Sequence, residues 1–280
     1  MTNSDFLLII FDSYVIIKLR HCSHLHIAQI IAYNGIKTAR GVTMLDIKNL
    51  TKKYGTKIAV DDLSLHILPG EIYGFIGHNG AGKTTTLKAV AGILKFDAGE
   101  ITIGGKSITK EPLECKKMIA YIPDNPDLYY FMTGIKYLNF ISDIFEVGTD
   151  ERKEKIDRYA EIFELKDSLA NPISAYSHGM KQKLAIISAL IHDPKLIIMD
   201  EPFVGLDPKA SHLLKQIMHD MCSDGASIFF STHVLDVAEK LCDRIAIIKG
   251  GKLIRAGTMD EVKGDESLED VFLELEDENA

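Results

Sequence analysis

The chain contains no tryptophan and only four cysteines, Cys22, Cys115, Cys222 and Cys242. None forms a C-x-x-C pair, which argues against a disulfide framework or a zinc site and for free, mostly buried thiols in a reducing compartment. An excess of positive charge is also missing: the formal net charge is −8. That excludes a basic footprint over the whole molecule, so no nucleic-acid partner is expected, although a local basic patch stays open. No apolar run reaches the roughly 20 residues that span a bilayer. The nearest, Phe6-Leu7-Leu8-Ile9-Ile10-Phe11, is interrupted by Asp12 and Ser13 before Tyr14-Val15-Ile16-Ile17. It is a poor signal peptide too, with Asp5 in place of a positive n-region and no clear small-residue cleavage site. Internal repeats and low-complexity tracts are absent. What is present is ordinary for a globular protein: 46% apolar and 26% charged residues, enough for one large or two small domains.

Met44-Leu45-Asp46-Ile47 begins a clean strand pattern. Arg40-Gly41, just upstream, fits a purine-rich coding run of the kind that binds a bacterial ribosome. The expectation is an N-terminal extension over residues 1–43, read as translated leader, with Met44 as the natural start. The alternative is a loosely attached N-terminal segment.

From Met44 the pattern opens with strands: Leu45-Asp46-Ile47, Leu63 to Ile67, then Pro69-Gly70 turning into Ile72-Tyr73-Gly74-Phe75-Ile76. Gly99 to Ile103 is a further short strand. Residues from about Pro112 to Leu190 read mostly as helix, with a helical subdomain over about 125–190. Strand and helix then alternate: Leu196–Met199, Ser211–Met221, Ile228–Ser231, Leu235–Leu241. Ile245–Ile248 and Leu253–Ala256 flank a hairpin turn at Lys249-Gly250-Gly251-Lys252. The fold class is α/β, with a mainly helical insertion. A C-terminal helix over about 267–278 starts at Ser267-Leu268-Glu269-Asp270 and places Leu268, Phe272 and Leu275 on one face, docked on the core with an acidic outer face.

Gly77-His78-Asn79-Gly80-Ala81-Gly82-Lys83-Thr84 fills every fixed position of G-x-x-x-x-G-K-[ST] between a buried strand and a helix read as Thr84 to Leu94. A phosphate chain is crowded and charged, so the backbone must approach closely and offer many N–H donors. Glycines at 77, 80 and 82 permit this. Lys83 reaches the β- and γ-phosphates, the Thr84 hydroxyl holds Mg²⁺, and the helix N-terminus adds a positive dipole end. Thr85 completes the predicted ATP-binding stretch. Further along, Leu196-Ile197-Ile198-Met199-Asp200-Glu201 places two carboxylates just past an apolar strand. Asp200 suits Mg²⁺ and Glu201 suits an attacking water.

Tyr176-Ser177-His178-Gly179-Met180 opens a helix of apolar periodicity. Here the chain resembles the nucleotide-binding subunit of ATP-binding cassette (ABC) transporters, in which Leu-Ser-Gly-Gly-Gln occupies this place. The resemblance covers Met44 to the C-terminus. Tyr54 matches the residue that stacks on adenine, Gly205-Leu206-Asp207-Pro208 the D-loop, and Ser231-Thr232-His233 the switch histidine. It implies a P-loop NTPase core with an antiparallel β subdomain and an inserted helical subdomain. It also implies ATP and Mg²⁺ as cofactors, and a head-to-tail pair of copies in which each ATP lies between one P-loop and the partner's signature helix. Ser177 and Gly179, with His178 between them, would bind the γ-phosphate across that interface. Asp207 would contact the opposite subunit, and Glu201 and His233 would be catalytic. The motor would sit on the inner face of the cell membrane, cytoplasmic and peripheral, through a separate multi-spanning permease.

Two positions depart from the family. His178 replaces the first signature glycine and is read as filling space rather than adding a charge-dependent contact. Asp124, in Ile122-Pro123-Asp124-Asn125, replaces a glutamine that touches Mg²⁺; aspartate also binds Mg²⁺ but is shorter and charged. Tyr129-Tyr130-Phe131, Ile135, Tyr137 and Phe140 read as helical-subdomain core, with the remainder forming a groove for the permease. Gly179–Leu184 and Ser267–Phe272 resemble the ABC-2 exporter branch, so export is the expected direction. Two rival functions stand beside this: a soluble ABC ATPase acting on ribosomes or DNA, and a non-hydrolysing nucleotide sensor.

Overall fold

The computed structural model describes residues 6–11, 14–19 and 43–277. The chain divides into two units, Met1–Val42 and Thr43–Ala280. In the first, β1 (Phe6–Phe11) and β2 (Tyr14–Leu19) pair antiparallel, with Phe11 opposite Tyr14. The apolar stretches Phe6–Phe11 and Tyr14–Leu19 are thus strand. Cys22 and the rest of the proposed leader lie outside the described residues.

The second unit is built on a six-stranded sheet. Its strands are β5 (Ile72–Ile76), β8 (Ile119–Ile122), β9 (Leu196–Asp200), β10 (Ser227–Thr232), β11 (Arg244–Lys249) and β12 (Lys252–Thr258), in the order β12-β11-β5-β10-β9-β8. All neighbours are parallel except β11 and β12. β5, β9 and β10 are buried at every residue, as expected where a parallel sheet is covered on both faces. The two-residue pleat sorts their side chains. Tyr73, Phe75, Ile198 and Phe229 face one core, while Ile72, Ile76, Ile197, Met199 and Phe230 face the other.

The first core is closed by an antiparallel sheet of β3 (Leu45–Tyr54), β4 (Lys57–Ile67), β6 (Ala98–Ile103) and β7 (Lys106–Ser107). Its alternating Leu45, Ile47, Val60, Leu63 and Ile67 pack there with α1 (Lys83–Val90) and α2 (Pro112–Met118). The second core is closed by α3 (Gly134–Ile144), α4 (Thr149–Ile162), α5 (His178–Leu190), α6 (Pro208–Ser223), α7 (Leu235–Leu241), α8 (Met259–Lys263) and α9 (Leu268–Asp277). Cys115, Cys222 and Cys242 are buried and free.

Reading residues from about Pro112 to Leu190 as mostly helix needs one correction. Ile119–Ile122 is β8, the edge strand of the main sheet. Four residues of apolar sequence carry too little periodicity to separate strand from helix. The short α8 also escaped the sequence reading, although Thr258 and Glu261 form a full capping box there.

His192, just after α5, stacks on Phe145 with ring centroids 3.6 Å apart. Burial pulls its imidazole below the ordinary value of 6.5. The unfolded chain therefore takes up this proton first as pH falls below about 6.5, and stability drops. Thermal melts between pH 7.5 and 5 are expected to show a falling midpoint, and His192→Phe to flatten the slope.

Candidate active site

A parallel sheet brings the C-terminal ends of its strands to one edge, where ligands bind in such folds. Here β5 delivers the P-loop, β8 delivers Asp124, β9 delivers Asp200 and Glu201, and β10 delivers His233. A cavity of about 310 Å³ at this edge is lined by Tyr54, His78, Asn79, Gly80, Gly82, Lys83, Thr84, Thr85, Asp124, Asp200 and Glu201, with Lys57 and Ala59. A larger groove of about 620 Å³ lies at the opposite edge, near Lys195 and Ala226, and contains none of the predicted site residues.

The loop geometry follows from its glycines. Gly82 has φ +111° and lies against the Ala59 carbonyl, so a side chain there is excluded both by dihedral and by space. Gly251 N–H donates to Ala81 O at 2.9 Å and ties the loop to the β11–β12 turn. Lys83 is buried; its Nζ donates to Gly77 O at 2.5 Å and His78 O at 3.3 Å, and lies 3.5 Å from Glu201 Oε1. Tyr54 is 51% exposed, with the Lys52 ammonium 5.2 Å from its ring centroid.

The Asp200 carboxylate and the Glu201 backbone are held by Ser231, which stands opposite Asp200 in the strand register. Its Oγ donates to Asp200 Oδ1 at 2.5 Å and accepts from Glu201 N–H at 3.1 Å. Asp200 is buried. Glu201 adopts φ +48°, a left-handed conformation that costs a non-glycine residue on the order of 1–3 kcal/mol. That turn carries its carboxylate back over the strand end, 3.0 Å from His233 Nδ1.

Sequence reasoning named Ser231 only as part of Ser-Thr-His. Its role appears once β10 and β9 are paired. Ser231→Ala leaves the buried Asp200 oxygen without its donor. We expect it to cost about 1–3 kcal/mol in chemical denaturation, with a lower ATPase rate.

The signature residues stand apart. Ser177, His178 and Gly179 do not line the cavity of their own chain. Ser177 is exposed and N-caps α5, accepting from Met180 N–H at 3.3 Å. His178 is exposed and lies against Gly205: a Cβ there would lie 2.8 Å from its Nε2. Asp207 is engaged within the chain. Its Oδ1 caps α6 by accepting from Ala210 N–H at 2.8 Å, and its Oδ2 pairs with Lys183 Nζ at 2.7 Å. The Lys183 hydrogen bond holds its carboxyl below the usual range.

Comparison with known proteins agrees with this geometry. The family described as ABC transporter matches residues 60–204. YhcH of Bacillus subtilis, an uncharacterized ABC transporter ATP-binding protein, is 41% identical over 213 residues, covering 76% of this chain and 69% of its own. The bacitracin transport ATP-binding protein BcrA of Bacillus licheniformis is 36% identical over 222 residues, covering 79% of this chain and 72% of its own. The solved ATP-binding subunit of an ABC transporter superposes with a TM-score of 0.81 at 33% identity, over 84% of this chain and all of that one. The dimeric, post-hydrolysis cassette MJ0796 with ADP and Pi gives 0.72 at 25%, over 77% and 99%. Motif order, site geometry and these likenesses agree: the chain belongs to the ABC transporter family, as an ATP-binding subunit with an ATPase cassette.

Proposed function

We propose that two copies of this chain pair head to tail around two ATP molecules, hydrolyse them with Mg²⁺, and thereby drive a separate multi-spanning permease in the export direction. The observation that carries hydrolysis is Glu201, turned by its left-handed backbone to 3.0 Å from His233 and 3.5 Å from Lys83. Pairing is supported by the separation of Ser177 and Gly179 from the P-loop cavity, which leaves the γ-phosphate side to be completed by a second copy. Export is supported by a relative of that name, the Nod factor export ATP-binding protein I of Rhizobium etli, 34% identical over 232 residues. No described helix is long and apolar enough to cross a membrane.

The residues fit Mg²⁺. Thr84, Asp124 and Asp200 offer hard oxygen donors around one cavity. Among the described residues no group of three His, Cys, Asp or Glu forms a metal cage. That suits an ion that keeps waters and shares nucleotide phosphates. When bound, it neutralises charge on the β- and γ-oxygens. The chain supplies the rest: Lys83 and the loop N–H groups bind phosphate, Tyr54 stacks on the base, Glu201 orients the attacking water, and His233 holds that water and the γ-phosphate. Purified chain is expected to release phosphate from MgATP and to stop when EDTA removes the metal. ATP binding without phosphate release would favour the nucleotide-sensor reading instead.

A further inference from the structure

We propose that Phe272 of α9 is a positioning residue for the nucleotide site, acting through His78 of the P-loop; this rests on the ATP-binding reading above. Leu268, Val271 and Phe272 all bury in the main core and dock α9. The helix start is fixed as well: Asp270 N–H donates to Ser267 Oγ at 3.1 Å, and Leu268 N–H to Glu239 Oε2 at 3.3 Å. Phe272, one residue beyond Val271, is buried yet reaches the loop. Its ring meets the His78 imidazole edge to face, with centroids 5.0 Å apart and planes at 64°.

His78 is well placed to transmit that contact. It lines the nucleotide cavity. Its carbonyl accepts from Ala81 N–H at 3.1 Å, closing the turn of the loop, and from Lys83 Nζ at 3.3 Å. A shift of residue 78 therefore moves both the loop N–H groups and the acceptor of the phosphate-binding ammonium. Backbone holds the other flank, since Gly77 lies against the Ile248 carbonyl too closely for any Cβ and Gly251 N–H holds Ala81 O. The C-terminal helix, beyond the residues that carry the ATP motifs, thereby becomes part of the nucleotide site. An edge-to-face aromatic pair corresponds to about three- to ten-fold in an equilibrium constant.

The test measures equilibrium MgATP binding and steady-state hydrolysis in the full chain. Phe272→Leu keeps an apolar side chain but removes the ring. We expect it to raise Kd and KM about three- to ten-fold, with kcat within about two-fold. Phe272→Tyr restores the ring and should restore both constants. In a His78→Ala background, Phe272→Leu should change neither further. Wild-type Kd in Phe272→Leu, an equal loss in Phe272→Tyr, or an undiminished loss in the His78→Ala background would each overturn the inference. Where Phe272→Leu fails to fold, Phe272→Met, which also lacks the ring, is read in its place, and a wild-type Kd overturns the inference. A wild-type chain that binds no MgATP overturns the ATP-binding reading along with it, a result distinct from the others.

Discussion

Glu201→Gln is expected to lower the rate of ATP hydrolysis by about 10²–10⁴-fold while leaving ATP binding intact, the range for removal of a general base. The substitution is nearly isosteric and takes away only charge and basicity. The side chain is 13% exposed and lies at ion-pair distance from Lys83 and His233. The amide conserves its volume, and the backbone turn stays fixed by the hydrogen bonds of Glu201 N–H to Ser231. Phosphate release measured under single-turnover conditions separates chemistry from product release. Turnover at the wild-type rate would remove Glu201 from the reaction.

Lys83→Ala should act at the earlier step. We expect ATP affinity to fall about 10²-fold or more, since a charge-assisted hydrogen bond contributes about 1.5–3 kcal/mol and the proposed role has this ammonium reach two phosphates. Lys83 is buried and held against the Gly77 and His78 carbonyls, so it is ordered before nucleotide arrives. Equilibrium dialysis with labelled ATP measures the effect. Undiminished binding would refute the phosphate-binding role of the loop.

The two substitutions probe features of different legibility. Gly77–Thr84 could be read directly, because its chemistry is local: a loop, a lysine and a helix start within one stretch. Asp200 and Glu201 were legible as a strand-end pair, but the left-handed turn at Glu201 was not, since only pairing with β10 shows Ser231 fixing both residues. Lys57 and Ala59 line the cavity through the β3–β4 hairpin and carry no chemical signature of their own. β8 was hidden because four apolar residues fit either period, and its place at the sheet edge is a long-range fact. His178 lies close to Gly205, a contact invisible in sequence. Phe272 was visible as one apolar position on a helix face. That it reaches the P-loop rather than only the core is again set by tertiary packing.

The central claim is that the site is completed by a second copy. Ser177 and Gly179 are outside the cavity that holds Lys83, Thr84 and Glu201, and in the proposed pair they would complete the γ-phosphate contacts from the second copy. The mass of Glu201→Gln in solution, measured by light scattering with and without ATP, tests this most directly. The account predicts a single-chain mass without nucleotide and a doubled mass with it, lost again on Ser177→Arg. A mass that stays at one chain while ATP is bound would contradict it.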